Sequence, residues 1–154
     1  MTETKQSISE AKLDQFFHTL VVETREPGLT DVTLKVREWH EEIAAHDGLL
    51  TLFIRHTTAS LLIQENADPD VHIDLMTALD CLAPRDRGYI HDTEGPDDMP
   101  AHIKAAVTAT SVSIPVIAGH MTLGTWQGIY LVEHRDQPHR REIALHYLGT
   151  RNVR

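Results

Sequence analysis

The sequence predicts an α+β domain in which about three helices pack against a mostly antiparallel sheet. Two patterns support this fold class. In the first two thirds of the chain, strand-like segments alternate with segments whose apolar residues repeat every three or four positions, as in helices. The last third holds three strand-like segments joined by short turns, and short turns favour antiparallel pairing.

Three helices follow from apolar spacing and from residues typical of helix ends. An apolar stripe predicts a helix over 34–46. Asp68 and Pro69 are typical of the N-cap and the first helical position, and the helix they begin runs to about Leu82. Pro100 opens a third helix after a long polar loop.

The strands are predicted from runs of β-branched, aromatic and other apolar residues between turn signals. They cover residues 16–23, 49–56, 111–118, 125–134 and 142–148. Pro115 lies inside the third of these segments, which predicts a sheet edge or a bulge there. Residues 1–10 are interpreted as a loose arm and residues 11–154 as a single domain.

Composition excludes several classes of protein. The 154 residues carry a net charge of −9, which disfavours nonspecific nucleic-acid binding. The chain has no apolar run near the roughly 20 residues of a membrane helix, and its polar N-terminus does not resemble a signal peptide. The single cysteine excludes an intrachain disulfide framework. We therefore expect a cytoplasmic protein with no membrane partner.

Acidic residues and histidines are unusual in number and placement. The chain has eleven histidines, and residues 65–98 hold ten acidic residues against two arginines, so this stretch carries −8 of the net charge. Acidic residues near histidines suggest a cation site. The alternative is a solvated acidic face.

The first polar segment that could carry chemistry ends the predicted strand over 49–56. His56, Thr57 and Ser60 lie close together there and could line the mouth of a pocket. The alternative is a turn capped by hydroxyl groups.

The second segment is the richest in potential ligands. Two histidines and four acidic residues fall within twelve residues: His91, Asp92, Glu94, Asp97, Asp98 and His102. Imidazole nitrogens and carboxylate oxygens are ligands of zinc, manganese, iron and nickel. Helix capping is the alternative for one or two of the acids, but it does not require two histidines.

The third segment, Glu133-His134-Arg135, ends a strong strand. Strand alternation places Glu133 with Ile129 on one face and His134 on the other, where it could enter a core or a pocket. A buried histidine with satisfied hydrogen bonds is the alternative. Arg135 suits a phosphate or carboxylate group, because its guanidinium forms bidentate hydrogen bonds.

Five motifs together resemble the YjbQ-type family, also known as secondary thiamine-phosphate synthase enzymes. They are HTTASL at 56–61, ENADP at 65–69, HDTEGPDDMPAHIK at 91–104, GTWQG at 124–128 and EHR at 133–135. The resemblance covers the chain from about residue 10 to 149.

This resemblance implies a compact fold with a curved sheet, a homotrimer, and a pocket of histidines and acids that holds a divalent metal. It also implies that the protein joins a pyrimidine diphosphate to a thiazole phosphate, with release of pyrophosphate. The expected partner is thus a small phosphorylated molecule. The alternatives are another metal-dependent hydrolase or transferase, or a non-catalytic protein that binds a metal or a small ligand.

We assign expected roles on the basis of the motifs and the resemblance. The expected metal ligands are His91, His102 and His134. The expected catalytic residues are His56, Glu65, Asp92, Glu94 and Asp98. The expected substrate-binding or phosphate-binding residues are Thr57, Ser60, Asn66, Asp68, Lys104, Gln127, Glu133 and Arg135. Histidine ligands favour Zn, Mn, Fe or Ni, whereas Mg prefers oxygen ligands and substrate phosphates.

Overall fold

The computed structural model describes residues 12–152, in which there are eight strands and three helices. In chain order the elements are β1 (Asp14–Thr24), β2 (Gly28–Asp31), α1 (Thr33–Glu42), β3 (Ala45–Ile54), β4 (Ala59–Glu65), α2 (Pro69–Leu82), α3 (Asp98–Val107), β5 (Ser111–Ile117), β6 (His120–Met121), β7 (Gln127–Glu133) and β8 (His139–Arg151). The predicted N-terminal arm over 1–10 lies outside the described residues.

The strands form two sheets, and the pairs within each are antiparallel. One sheet has the order β1-β8-β3-β5-β6 and the other β2-β7-β4. An isolated bridge pairs Leu61 of β4 with Ala109, two residues before β5. The predicted α+β class, with three helices and antiparallel pairing in a curled sheet, is confirmed.

The short connections between the last three strand-like segments predict that these segments pair with one another. In the structure they do not. β5 pairs with β3 and β6, β7 lies between β2 and β4, and β8 lies between β1 and β3. The chain crosses from one sheet to the other after β6 and again after β7, so a short connection does not make the strands it joins neighbours. Among residues 12–152, Pro115 on β5 has no strand partner on the β6 side, since β6 pairs only with Val116 and Ile117.

Several predicted boundaries differ from the structure. The helix predicted over 34–46 ends at Glu42, because Ala44 adopts a left-handed φ of 54° and β3 begins one residue later. The sequence did not predict β2, β4 or β6. β2 and β4 both pair with β7, a long-range interaction that short segments do not reveal in their own sequence. β6 is only two residues long, in a stretch predicted as a turn.

The hydrophobic core lies between the two sheets. Alternate residues of β3 and β8 point inward, among them Leu50, Leu52, Ile143 and Leu145. Helix α1 adds Val36 and Trp39 to the same core. Helix α2 contacts β2 and helix α3 contacts β4, both strands of the three-stranded sheet. None of the helices within residues 12–152 is long and apolar enough to cross a bilayer.

A buried ion pair joins the two sheets. Glu133 on β7 accepts hydrogen bonds from the Nε and Nη2 of Arg141 on β8, at 2.7 and 2.5 Å. The side chains are only 1 % and 4 % exposed. Thr24 donates a further hydrogen bond to Glu133 at 2.6 Å, and Arg141 donates one to Thr58 Oγ1 at 3.0 Å. Both charges are therefore paired and hydrogen-bonded, as a buried ion pair requires.

Glu133→Gln should destabilise the protein by about 3–5 kcal/mol, because it leaves the buried Arg141 charge without its counter-charge. Glu142→Gln on β8 is the matched control, since Glu142 pairs with the exposed Arg55 and Arg140. We expect it to cost less than about 1 kcal/mol. Urea unfolding of both variants tests this, and equal losses in the two would contradict the structural role assigned to Glu133.

Candidate metal centre

The predicted site residues divide between the two ends of the β4–β7 pair. Ala59 pairs with Glu133 and Glu65 pairs with Gln127. At about 3.3 Å per residue, the two ends lie roughly 20 Å apart. The first end carries Thr57, Ser60, Glu133, His134 and Arg135, and the second carries Glu65, Asn66, Asp68 and Gln127. The residues predicted to form one pocket therefore do not meet within the described chain.

His91, Asp98 and His102 do come together, and we call them the His91 cluster. Asp98 is the first residue of α3, and His102 lies four residues later on the same helix face. His91 comes from the loop before α3, which turns at Gly95 with a left-handed φ of 107°. The Nε2 of His91 lies 2.7 Å from Asp98 Oδ2, and the Nε2 of His102 lies 3.5 Å from the same oxygen.

Arg135 fixes the orientation of the Asp98 carboxylate. Its Nη1 donates to Asp98 Oδ1 at 2.5 Å and its Nε donates to Asp97 Oδ2 at 2.9 Å. Burial opposes ionisation of Asp97, but hydrogen bonds from the Asp136 backbone N–H and from Arg135 outweigh it and lower the pKa of Asp97. With Oδ1 held by Arg135, Asp98 presents Oδ2 to the two histidines.

The His91 cluster has the donor set of a divalent metal site. Its ligand atoms, two imidazole nitrogens and one carboxylate oxygen, lie within 4.8 Å of one another. Asp98 is 1 % exposed, whereas the side chains of His91 and His102 are 45 % and 32 % exposed. A cavity of about 330 Å³, lined by Tyr89, His91 and Asp92 among others, adjoins the cluster. The arrangement could hold an ion on one side and leave room for a ligand on the other.

His134 lies outside the His91 cluster, although it was predicted to be a third histidine ligand. It is buried, with Nε2 2.9 Å from Ser60 Oγ, and its Nδ1 has no hydrogen-bond partner among the described residues. Burial lowers the pKa of His134 to about 4, with Lys104 acting in the same direction. In the structure, the carboxylate of Asp98 takes the place that the sequence analysis gave to His134.

The two cations predicted to bind phosphate form ion pairs with carboxylates of the protein. Lys104 is buried and forms an ion pair with Asp80 on α2. Arg135 forms ion pairs with Asp97 and Asp98 and a longer one, at 4.0 Å, with the Glu94 carboxylate, and its Nη2 also donates to the Glu94 backbone oxygen. Within residues 12–152, both side chains hold the protein together around the site and neither presents a free charge to a ligand.

Most of the other predicted site residues have structural contacts. Asp68 caps α2 by accepting a hydrogen bond from Asp70 N–H at 2.9 Å, which confirms its interpretation as an N-cap. The Nε2 of His56 accepts a hydrogen bond from Glu142 N–H at 2.8 Å, so this atom is not free to act as a base. Glu133 is buried in the ion pair that joins the sheets and does not line a pocket.

The remaining predicted residues lie at the surface or stabilise loops. Asn66 Nδ2 donates to the backbone oxygens of Thr125 and Gln127, and Gln127 Oε1 accepts from Gly124 N–H. Glu65 accepts a hydrogen bond from Ala67 N–H. Thr57, Asp92 and Glu94 are exposed, and Ser60 is buried against His134.

Three residues that organise the site have no role in the predictions from sequence: Asp80, Asp97 and Arg141. A signal for Arg141 was present, because strand alternation puts it in phase with the inward-facing Ile143 and Leu145. Asp97 lies in the segment rich in histidines and acids, but its partner Arg135 is 38 residues away in the chain. No local pattern identifies Asp80, whose partner Lys104 is 24 residues away.

Comparison with known proteins identifies the family. The UPF0047 protein YjbQ-like family profile matches residues 18–150. The chain belongs to this UPF0047 family. A UPF0047 protein of Synechocystis is 48 % identical over 142 residues, which cover 92 % of this chain and 97 % of the relative. A UPF0047 protein of Methanocaldococcus jannaschii is 37 % identical over 80 % of this chain and 86 % of its own.

Solved structures of YjbQ-like proteins share the fold of this UPF0047 chain. A Sulfolobus solfataricus protein, described as YbjQ-like and of unknown function, superposes with a TM-score of 0.83 at 26 % identity, covering 90 % of this chain and 99 % of its own. A YjbQ/UPF0047 protein of Clostridium acetobutylicum has a TM-score of 0.75 at 36 % identity, covering 86 % and 98 %. These similarities support the family and the fold that the motifs predicted.

The buried His134 should make the UPF0047 chain less stable in mild acid. Its pKa is about 4 in the folded protein, against the ordinary histidine value of 6.5 that applies once the chain unfolds. Between these values the unfolded chain binds the extra proton. Stability should therefore fall as the pH drops from about 6.5 to 4, by up to about 3 kcal/mol from this group.

Comparing the pH dependence of unfolding in wild type and His134→Gln isolates this contribution, since glutamine does not titrate. Towards pH 4, the free energy of unfolding of the wild type should fall more steeply than that of His134→Gln. An NMR titration in which the His134 imidazole takes up its proton near pH 6.5 would contradict the burial assigned to it.

Proposed function

We propose that this protein is a metal-dependent enzyme acting on a small phosphorylated molecule, with thiamine-phosphate synthase activity. In that reaction a pyrimidine diphosphate is joined to a thiazole phosphate and pyrophosphate is released. The observation that carries the proposal is the His91 cluster, in which a buried, oriented carboxylate lies between two accessible imidazoles.

The donor set supports a transition metal over magnesium. Two imidazole nitrogens and one carboxylate oxygen suit Zn, Mn, Fe or Ni, whereas Mg prefers oxygen ligands. His91, Asp98 and His102 would hold the ion, and Arg135 would keep Asp98 in the orientation that ligation needs. Of the cluster, His91 lines the cavity that Tyr89 and Asp92 also line, and a substrate could approach the ion there.

The charges around the cluster support a role for the metal in phosphate chemistry. Departure of pyrophosphate requires neutralisation of the negative charge that develops on it. Lys104 and Arg135 are each paired with carboxylates, and Arg85 at the cavity wall is paired with Asp136. A bound divalent ion would supply that neutralisation, while the chain's own residues orient the ligands and shape the cavity.

We also propose that the protein assembles as a homotrimer. The outer face of the five-stranded sheet exposes a row of apolar side chains. Phe17, Leu49, Phe53, Ile117 and Leu148 are each more than 40 % exposed. In the sheet register Leu49 lies between Leu148 and Pro115, so these three residues form an apolar row across three strands. Exposed apolar surface of this kind is typical of a protein interface.

The enzymatic proposal is tested with untagged protein, elemental analysis and an assay for thiamine phosphate in the presence of Zn, Mn, Fe, Ni or Mg. We expect near-stoichiometric metal in the wild type and loss of metal and product in His91→Ala, His102→Ala and Asp98→Asn. The exposed His18 provides the control variant His18→Ala, which should retain both.

The outcomes separate the proposal from its alternatives. Bound metal without thiamine phosphate, but with turnover of another phosphate ester that is lost in His91→Ala, would indicate a different hydrolase or transferase. Metal binding without any turnover would indicate a non-catalytic binding protein. Protein that takes up no metal would contradict the proposed centre altogether.

Light scattering after size exclusion tests the assembly. A trimer should have three times the 17.4 kDa mass of the chain. Phe53→Glu should dissociate it, because it places a charge in the apolar face, whereas Leu34→Glu on the exposed side of α1 should not. A wild-type mass equal to one chain would refute the trimer.

A further inference from the structure

A second polar cavity, of about 500 Å³, lies at the other end of the β4–β7 pair from the His91 cluster. We call it the α1 cavity. One wall is a face of helix α1, and the other is formed by the turn at Gly119–Met121 and the loop that ends at Gln127. Cavities of this size are typical of small-molecule sites.

Helix α1 presents a polar stripe to this cavity. Thr33, Arg37, His40 and Glu41 line it, at the spacing i, i+4, i+7 and i+8 that places residues on one helix face. The neighbouring stripe, which includes Val36 and Trp39, is the one that packs into the core. The side chains towards the cavity are thus polar, although the stripe lies beside the buried face of the helix.

His40 is the most unusual member of the stripe. It is 3 % exposed, and its Nε2 is buried without a hydrogen-bond partner among the described residues. Burial lowers the pKa of His40, and His120 across the cavity acts in the same direction while Glu41 opposes it. A buried polar atom without a partner is costly in a folded protein, and a ligand in the cavity would supply the partner.

The cavity is also lined by positive and negative side chains that form no ion pair within residues 12–152. Arg37 forms no ion pair or hydrogen bond with any residue from 12 to 152, although Glu41 is only one helical turn away. The Glu41 carboxylate is likewise unpaired there, and Asp31 uses one oxygen to accept a hydrogen bond from Thr33 N–H. A ligand with only one sign of charge would meet like charges in this cavity.

Hydrogen bonds hold the turn and the loop that line the cavity. Ala118 N–H donates to Asp47 Oδ1 at 2.7 Å and Gly119 N–H donates to the His46 backbone oxygen at 2.8 Å, in the turn that carries His120. In the loop, Gly124 N–H donates to Gln127 Oε1 at 2.8 Å. These backbone segments are therefore in place before a ligand binds, which lowers the cost of ordering them.

We propose that the α1 cavity is a second ligand site that takes a small amphoteric compound, one bearing both an anionic group and a protonated amine. Arg37 binds the anionic group, Glu41 and Asp31 bind the amine, and His40 provides a hydrogen bond at the buried side. None of its residues belongs to the His91 cluster, although Asn66 and Gln127, which also line the cavity, were predicted to bind substrate.

The test uses O-phosphoethanolamine as the probe, with inorganic phosphate and ethanolamine as its two halves. Imidazole NMR signals of His40 and His120 report binding to the full-length protein. We expect saturable shifts with O-phosphoethanolamine and at least about tenfold weaker binding of either half, since each half loses one charged contact. A chelator should leave this binding unchanged, which separates it from the proposed metal centre.

Variants on α1 complete the test. Arg37→Gln should weaken binding of O-phosphoethanolamine about tenfold or more, and Glu41→Gln should remove its advantage over phosphate. Lys35→Gln is the matched control, because Lys35 is an exposed cation on α1 that does not line the cavity. Absence of saturable shifts, equal binding of phosphate and O-phosphoethanolamine, or equal effects of the Arg37 and Lys35 variants would each overturn the proposal.

Discussion

The buried carboxylate of Glu133 connects the fold to the candidate metal centre. It pairs with Arg141 across the two sheets, and its Oε1 also accepts hydrogen bonds from the backbone N–H groups of His134 and Arg135, each at 3.0 Å. These contacts fix the chain where it leaves β7. Arg135 can then reach Asp98, which in turn faces His91 and His102. An ion pair in the core thus sets the position of a site at the surface.

This chain of contacts also determines the electrostatics of the site. Arg135 and Lys104 neutralise carboxylates of the protein itself, so Asp80, Asp97 and Asp98 of the strongly acidic stretch are paired from within. What stays accessible is a pair of imidazoles beside one oriented carboxylate oxygen. Such a set favours a cation over a phosphate group, and any phosphate would have to be bound through that cation.

The parts of this structure that the sequence predicted depend on local patterns. Spacing of apolar residues identified the three helices, Asp68 and Pro69 marked the start of α2, and the density of histidines and acids located the His91 cluster. The parts that it could not predict depend on partners far apart in the chain. β2 and β4 form only against β7, and the burial of His134 against Ser60 joins residues 74 positions apart. For the same reason, residues that were predicted to form one pocket lie at two separate ends of the β4–β7 pair.

We propose that the His91 cluster is a metal centre built on an oriented Asp98. Anomalous diffraction from crystals of the metal-loaded protein, recorded at the absorption edge of the metal found in it, would locate the ion. We expect one peak in contact with the Nε2 atoms of His91 and His102 and with Asp98 Oδ2, and with Arg135 still bound to Oδ1. A peak that involves His134 instead, or no peak at the cluster, would contradict it.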